Sequence, residues 1–454
     1  MTTTMLKKYQ VAAPRYTSYP TVPYWETGAF HEHEWLEGLA PSFASLNNED
    51  GISLYIHLPF CERLCTYCGC NKYITVNHDH EIPYINTILE EWDLYLQHFP
   101  ERPRIREVHL GGGTPTFFSP ANLTRLMEAI FATADVLPGA EHSFEGHPNN
   151  TTEAHMQALY DLGFRRMSLG IQDLDLNVQT IINRIQPFEN VRDCVDIARR
   201  IGYDSINFDL IYGLPLQTPD SIRNTFTKCM HLLPERISFY SYAHVPWIKG
   251  NGQRLFSEKD LPTGDQKRAL YELGKSILEN YFYKEIGMDH FALPDDKLFE
   301  AAANGSLHRN FMGYTDHRTS LLIGLGVSAI SDTGNAYTQN EKSLSAYQEK
   351  VRQGKLPVSR GHMLTKEDLR LRNHILNLMC RFETSWDRHD ANCDTISESL
   401  QRLQEPEHDG LVEVHPGKVV VTEKGKPYIR NICMAFDARL WRNVPQSQLF
   451  SNAV

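Results

Sequence analysis

Short apolar, β-branched runs alternate with helix-like stretches from residue 52 onward. Each run has the length of a strand. The stretch after it repeats apolar residues at the helical period, in several cases after a Ser, Thr or Asn and before a Gly. This alternation predicts a parallel sheet with right-handed crossovers, either doubly wound or rolled into a full or partial barrel. The predicted strands are ISLYIHL (52–58), REVHL (106–110), HSFE (142–145), RMSLG (166–170), SINFDLIY (205–212) and RISFYSY (236–242).

The two ends of the chain differ from this pattern. The first 50 residues contain the proline- and aromatic-rich stretch PRYTSYPTVPYW and show no helical period, so we expect an extended arm packed on the main domain and not a bland linker. From about residue 364, two helical stretches precede GLVEVHPGKVVVTEKGK, which has the pattern of a hairpin. We therefore predict an arm (1–50), a β/α barrel with its extension (51–360) and a smaller, mainly helical, winged-helix-like domain (361–454).

Composition and charge narrow the class of protein. The longest apolar-leaning run, LLIGLGVSAI, is half the length that a bilayer crossing needs, and the start lacks a secretory signal, so we expect a cytoplasmic protein without a membrane span. The net charge of -11 disfavours a nucleic-acid partner, which makes the C-terminal module a packing or lid domain. No heptad or self-pairing segment is visible, so we expect a monomer.

The chemistry of the chain is concentrated in CERLCTYCGC, where Cys61, Cys65, Cys68 and Cys70 fall within ten residues. A structural zinc site is one interpretation, but such sites usually take two ligand pairs from separated knuckles, and the single residue between the last two cysteines disfavours joint ligation of one ion. An iron-sulfur cluster is larger. If only three thiolates bind it, one iron stays open for another ligand.

These residues carry a resemblance. The spacing C-x3-C-x-aromatic-C after the first strand resembles the radical S-adenosylmethionine (SAM) superfamily. More narrowly, the chain resembles the oxygen-independent coproporphyrinogen III oxidases (dehydrogenases) of haem biosynthesis. The blocks that match, in order along nearly the whole chain, are PRYTSYPT, YIHLPFCERLCTYCGCNK, LGGGTPT, SLGIQD, DLIYGLP, YAHVP, GMDHFA, HRNFMGYT, GVSAIS and RNICMAFD.

The resemblance implies a partial (β/α)6 barrel in which Cys61, Cys65 and Cys68 hold a [4Fe-4S] cluster. Its fourth iron would bind the amino and carboxylate groups of SAM, and one electron would cleave SAM to methionine and a 5′-deoxyadenosyl radical. Cys70 would stand near the cluster without ligating it. We retain Cys70 as a candidate catalytic residue, the alternative being a small buried side chain.

The resemblance also implies a set of SAM-binding residues and a second SAM beside the first. The Gly-Gly-Gly-Thr run could by itself be a tight turn, and Asp209 a capping or ion-paired carboxylate. The run Gly146-His147-Pro148 departs from the commoner family pattern, in which an acidic residue precedes the proline. The expected SAM contacts are Tyr55, Tyr67, Gly112, Gly113, Thr114, Glu145, Gln172, Arg184, Asp209, Ala243 and Ile330, of which Tyr67, Gly113, Thr114, Gln172, Arg184 and Asp209 would serve the second molecule.

The implied reaction converts two propionates of coproporphyrinogen III to vinyl groups with loss of carbon dioxide. A tetrapyrrole with four carboxylates needs cationic partners, and Arg15 and Arg309 are our candidates. The electron would come from a donor such as flavodoxin or ferredoxin. Two alternatives on the same scaffold are a haem-binding chaperone and a radical SAM methyltransferase acting on a tetrapyrrole. The chaperones typically lack the cysteine equivalent to Cys70 and the arm, and both features are present here.

Overall fold

A computed structural model describes residues 3–27, 30, 32–247, 252–387 and 394–453 of the chain. The strands are β1 (Glu26–Thr27), β2 (Ile52–Leu58), β3 (Phe60–Cys61), β4 (Tyr73–Ile74), β5 (Arg104–Gly112), β6 (Asp135–Gly146), β7 (Arg166–Gln172), β8 (Ser205–Tyr212), β9 (Arg236–Ser241), β10 (Lys284–Gly287), β11 (His290–Ala292), β12 (His308–Asn310), β13 (Gly313–Thr315), β14 (Leu322–Leu325), β15 (Ile330–Asp332), β16 (Ala336–Asn340), β17 (Val358–Met363), β18 (Glu383–Ser385), β19 (Val412–His415) and β20 (Lys418–Val421).

Most of these strands are followed by a helix, as the alternating pattern predicts. The α-helices are α1 (Thr3–Tyr9), α2 (Glu32–Glu49), α3 (Glu81–His98), α4 (Pro120–Ala132), α5 (Glu153–Asp161), α6 (Leu176–Ile181), α7 (Phe188–Ile201), α8 (Pro219–Leu232), α9 (Gly264–Asn280), α10 (Lys297–Asn304), α11 (Leu344–Arg352), α12 (Lys366–Arg381), α13 (Asp394–His408), α14 (Ile429–Met434) and α15 (Ala438–Arg442).

The strands predicted from the sequence form the centre of one large sheet. Strands β2, β5, β6, β7, β8 and β9 pair in parallel and in chain order, which confirms the expected partial barrel. Strand β14 adds in parallel beside β2, and β15, β16, β17 and β1 extend that side with antiparallel pairing. Strands β11 and β10 extend the other side.

Two faces of opposite character result from the two-residue alternation along these strands. The outer face is apolar, and residues such as Leu54, Leu110, Phe144 and Phe208 are fully buried in one core with the surrounding helices. The inner face is polar and hydrogen-bonded across the strands. From β2 to β9 its residues are Ser53, Tyr55, His57, Glu107, His109, Gly111, Glu141, Ser143, Glu145, Arg166, Ser168, Gly170, Ser205, Asn207, Asp209, Arg236, Ser238 and Tyr240.

The expectation of an extended arm over 1–50 is wrong for much of its length. Helix α1 lies at its start and the 18-residue α2 occupies its second half. The described part of the stretch between them has little regular structure, with a 3-10 turn at Val22–Tyr24 and the short strand β1. Its aromatic residues pack as expected: Trp25 stacks on Tyr337 with ring centroids 5.1 Å apart, and β1 pairs with β17. The prediction missed α2 because this helix contains Pro41, and proline usually disfavours a helix interior.

One buried side chain joins the arm to the C-terminal segment. The Arg430 guanidinium donates hydrogen bonds to the carbonyls of Ala13 and Pro14 and, at 2.8 Å and 3.1 Å, to those of Asn452 and Ser451. Burial, with the nearby charge of Arg15, lowers the pKa of Arg430 to about 9. Both segments are therefore fixed to α14 at the same point.

The C-terminal region has the predicted helix, helix and hairpin. Strands β18, β20 and β19 form a three-stranded antiparallel sheet beside α12 and α13, which is the arrangement of a winged helix. Its core includes Tyr9, Tyr16 and Tyr19, so the arm and this region pack together. The boundaries at residues 50 and 360 stay predictions. Among the described residues, no helix has both the length and the apolar character needed to cross a bilayer.

Replacing His142 with Phe will remove a pH dependence of stability. His142 lies buried between Phe131 and Phe164, and burial lowers its pKa to about 4, below the usual 6.5. Between pH 6.5 and pH 4 the unfolded chain binds more protons at this histidine than the folded chain does. The free energy of unfolding therefore falls as pH falls, by about 1.4 kcal/mol per pH unit.

Denaturant unfolding of the wild type and of His142→Phe at pH values from about 7 to 4 measures this difference. The variant should lose less stability over this window than the wild type, while His33→Gln, at a histidine with an 85% exposed side chain, should follow the wild type. Parallel pH profiles for all three proteins would contradict the assignment.

Candidate active site

The cysteine loop begins where β2 ends, at the carboxyl end of the barrel. Cys61 ends the short strand β3, which pairs with β4, and Cys65, Cys68 and Cys70 follow in a loop without regular structure. Loops after parallel strands converge at this end of a barrel, which is where such folds carry out chemistry. The short strand pair therefore presents the cysteines at the barrel opening.

The loop is held from the side by the connection after β7. The Thr66 amide donates to the Ile182 carbonyl at 3.0 Å, its hydroxyl donates to the Ile181 carbonyl at 3.1 Å, and Asn183 donates to the Leu64 carbonyl at 2.8 Å. These three bonds fix the backbone on both sides of Cys65. The backbone that carries the Cys65 thiol is therefore held in place by the protein itself.

The thiols do not share one environment. Burial raises the pKa of Cys61 to about 11, although the Thr114 hydroxyl, 3.4 Å from its sulfur, acts in the opposite direction. A hydrogen bond from the Cys70 thiol lowers the pKa of Cys68 and raises that of Cys70. Of the two thiols, Cys68 is therefore the more readily ionised.

Two glycines at the end of β5 allow the strand to pass close to the loop. Gly112 has a φ of +114°, and an added Cβ would lie 2.7 Å from the His57 ring. At Gly113 an added Cβ would lie 2.5 Å from the carbonyl of Pro59. The backbone of residues 112–114 therefore reaches the cavity only because these side chains are absent.

Glu145 is an ionised carboxylate facing the cavity. Burial alone would favour the neutral acid, but hydrogen bonds from His109 and from the Gly112 amide lower the pKa of Glu145. The Gly112 amide lies 3.2 Å from Oε2, and His109 Nε2 lies 3.4 Å from Oε1. Such a carboxylate suits a cationic amino group or a pair of hydroxyls.

Arg184 and Asp209 are two further charged residues at the cavity. Arg184 donates to the Gly170 carbonyl at 2.6 Å and lies 3.7 Å from the Cys65 sulfur, and its Nε is buried without a hydrogen-bond partner in the described chain. Burial raises the pKa of Asp209 to about 6, although Ser168 and Asn207 donate to its carboxylate at 2.7 Å and 2.9 Å.

These groups meet in one cavity of about 410 Å³. The predicted residues that line it are Cys61, Cys65, Cys68, Cys70, Tyr67, Gly112, Gly113, Thr114, Glu145, Gln172, Arg184 and Asp209. Ala243, Ile330 and Tyr55 are described residues outside this lining. The Tyr55 hydroxyl is 2.9 Å from His57 Nδ1 within the barrel, and Ala243 is linked to Tyr67 because Gln253 donates to both carbonyls. The roles of all the predicted site residues, those in the lining included, stay predictions.

Some lining residues were not predicted. Tyr240 ends the inner face of β9, and the alternation Arg236, Ser238, Tyr240 could have identified it. Asn149 and Asn183 lie in loops, where no period exists to indicate direction. His147 also faces the cavity, and its Nδ1 accepts from the Asn149 amide at 3.1 Å, so Nε2 carries the proton.

The residues present fit a [4Fe-4S] cluster with SAM. Four thiols from one loop line the cavity, and the space beside them offers a carboxylate, an arginine with a free Nε and backbone atoms exposed by glycine. A structural zinc ion would need little of this space. The cavity thus favours a cluster with one open iron over a closed structural ion.

Comparison with known proteins agrees with this geometry. Residues 55–229 match the model of the radical SAM superfamily. The oxygen-independent coproporphyrinogen III oxidase of Escherichia coli (strain K12) is 39% identical over 99% of this chain and 98% of its own length. The chain belongs to the oxygen-independent coproporphyrinogen III oxidase family. The protein of that name from Pseudomonas aeruginosa is 38% identical over 96% of this chain and 95% of its own length.

This chain also has the fold of a solved structure. The coproporphyrinogen III oxidase of Escherichia coli, described as a radical SAM enzyme, superposes with a TM-score of 0.88 and 39% identity, covering 94% of this chain and 98% of that chain. The predicted α/β class and the partial barrel are thereby confirmed, and membership of the radical SAM superfamily identifies the cofactors of the family as a [4Fe-4S] cluster and SAM.

Substitution of single cysteines will distinguish the three predicted cluster ligands from Cys70. Cys65→Ala should abolish incorporation of iron and sulfide during anaerobic reconstitution, because two thiolates cannot hold the cluster. Cys70→Ala should still incorporate four irons per chain, with the wild-type absorption spectrum. The buried Cys229→Ala serves as a control for the loss of a thiol elsewhere. Loss of the cluster in Cys70→Ala would contradict the assignment of three ligands.

Proposed function

We propose that this chain catalyses the oxidative decarboxylation of two propionates of coproporphyrinogen III to vinyl groups, giving protoporphyrinogen IX without oxygen. The observation that carries this proposal is the meeting of three cysteines with the glycine run, Glu145 and Arg184 in one cavity, in a chain that matches the family over its full length. Each propionate loses a hydrogen atom, carbon dioxide and one electron. When bound, the cluster and SAM supply an electron and a 5′-deoxyadenosyl radical.

We assign binding and positioning roles to the residues of the cavity. Cys61, Cys65 and Cys68 would hold the cluster, and Arg184 beside the Cys65 sulfur would offset part of its negative charge. The backbone of residues 112–114 and the Glu145 carboxylate would orient SAM. Gln172 and Asp209 line the same cavity, and a second SAM would contact them there. Cys70, as a thiol donor beside Cys68, would be available to the reaction without ligating iron.

The arm is the proposed cover of the barrel opening. Its Arg15 donates to the Ser241 carbonyl at 2.7 Å, at the carboxyl end of β9, and Tyr16 and Tyr19 are buried against the C-terminal region. Together the arm and that region would exclude water and oxygen from the reacting carbon. The one-electron donor would be flavodoxin or ferredoxin, acting on a monomer in the cytoplasm.

Incubation of the reconstituted protein with SAM, a reductant and coproporphyrinogen III under anaerobic conditions will test the function. We expect carbon dioxide and a divinyl product, with two SAM consumed per substrate. Tight haem binding without turnover would instead indicate a chaperone, and a methylated tetrapyrrole would indicate a methyltransferase. Either of these results would overturn the proposal.

Two arginines are proposed to bind substrate carboxylates. Arg15 is partly exposed and lies 3.9 Å from Asp289, and Arg309 is only 6% exposed, with Nε and Nη1 lacking hydrogen-bond partners in the described chain. Buried guanidinium groups without an acceptor gain from a carboxylate that provides one.

Arg15→Gln and Arg309→Gln should each raise the KM for coproporphyrinogen III by about 10- to 100-fold, the loss of one charge-assisted hydrogen bond. Cleavage of SAM without substrate should be unchanged, because neither residue lines the cofactor cavity. The exposed Arg352→Gln, which pairs only with Glu349 on the surface of α11, provides the matched control. An unchanged KM in both variants would remove these residues from the substrate site.

A further inference from the structure

The end of the barrel opposite the cysteines is closed by the segment after β13. Thr319 Oγ1 lies 2.5 Å from Ser53 Oγ, and Ser53 also donates to Glu107 at 2.8 Å, at the amino ends of β2 and β5. Thr315 Oγ1 lies 3.5 Å from the same Glu107 carboxylate. Residues 315–319 therefore cover the amino ends of the strands, far from the cofactor cavity.

Three side chains of metal-ligating types meet where this segment contacts β6. One ligand atom each from Glu141, Asp316 and His317 lies within 4.8 Å of the others. The Arg166 guanidinium contacts Oε1 of Glu141, and Oε2 has no hydrogen-bond partner among the described residues. This group thus combines two carboxylates and one imidazole, the ligand types that first-row divalent cations accept.

Asp316 points to a missing ligand. Its side chain is 7% exposed, its Oδ1 is buried without a hydrogen-bond partner among the described residues, and His317 Nε2 lies 3.8 Å from that oxygen, beyond hydrogen-bond distance. A buried carboxylate oxygen without a donor is costly, because the protein does not replace the water it has lost. A cation held between Asp316 and Glu141 would supply the missing partner.

The local charge has the matching sign. Four carboxylates face two guanidinium groups at this end of the barrel, an excess of two negative charges when all are ionised. They are Glu107, Glu141, Asp296 and Asp316, against Arg166 and Arg236. One divalent cation would balance this excess.

We propose that Glu141, Asp316 and His317 bind one divalent cation of the zinc type at the closed end of the barrel, separate from the iron-sulfur site. Tetrahedral ligands of zinc lie about 3.4 Å apart, so the side chains need to close by roughly an ångström. His317, whose side chain is 36% exposed, provides both this movement and the path by which the ion enters. The ion would join residues 316–317 to β6, and water would complete the coordination.

Zinc binding to the cluster-loaded protein tests the proposal. Anaerobic equilibrium dialysis of the reconstituted protein against Zn²⁺ should give one zinc per chain in addition to the four irons. Thermal unfolding should shift upward by about 3 °C at zinc concentrations a hundredfold above Kd. Co²⁺ in place of zinc should show a ligand-field spectrum without thiolate-to-metal charge-transfer bands, because the ligands are oxygen and nitrogen.

Isosteric variants make the test specific. Asp316→Asn and His317→Gln should each weaken zinc binding at least tenfold and abolish the thermal shift, while cleavage of SAM stays at the wild-type rate. His415→Gln, which disrupts an exposed histidine-carboxylate pair at 3.4 Å, should change neither. The proposal is overturned if the loaded wild type binds no zinc, if both variants bind it as the wild type does, or if cobalt shows thiolate bands.

Discussion

The barrel depends on the strict alternation of side chains along its parallel strands. With apolar residues on one face and polar residues on the other, each strand can pack against helices outside and hydrogen-bond to its neighbours inside. Phe208 and Asp209 show the constraint most clearly: one is fully buried among the helices, and the next faces the cavity. A slip of one residue in β8 would bury the charge in the apolar core and expose the ring to the cofactor cavity.

This alternation also explains why so much of the fold could be predicted. Strands β2 and β8 have the bounds expected from the sequence, because apolar runs of fixed length bounded by turn residues leave little freedom. Helix α2 was not predicted, because the prolines near residues 14–23, in addition to Pro41 within the helix, favoured an extended conformation for the whole of residues 1–50. The pairing of β14 with β2, and of the later antiparallel strands with one another, was not predicted. It depends on contacts between segments that are distant in the sequence, and the local pattern of residues does not encode such contacts.

The candidate site was predictable where a motif and a strand end coincide. Cys61 follows a predicted strand, Glu145 ends one and Asp209 lies within one, and the family resemblance supplied their roles. His147 and Asn183 lie in loops whose backbone directions depend on packing, so the sequence alone gave no reason to place them at the cavity. Ala243 was expected at the cavity wall, yet Gln253 lies between it and Tyr67, a connection that requires two loops to meet.

The Arg430 guanidinium ties together two segments from opposite ends of the described chain. It bonds to residues 13–14 and to residues 451–452, and the Ala13 amide also donates to the Ser451 carbonyl. Displacing either segment therefore breaks bonds to the other. Any displacement of the arm, which we propose as the cover of the barrel opening, must therefore break bonds to the most distant part of the sequence.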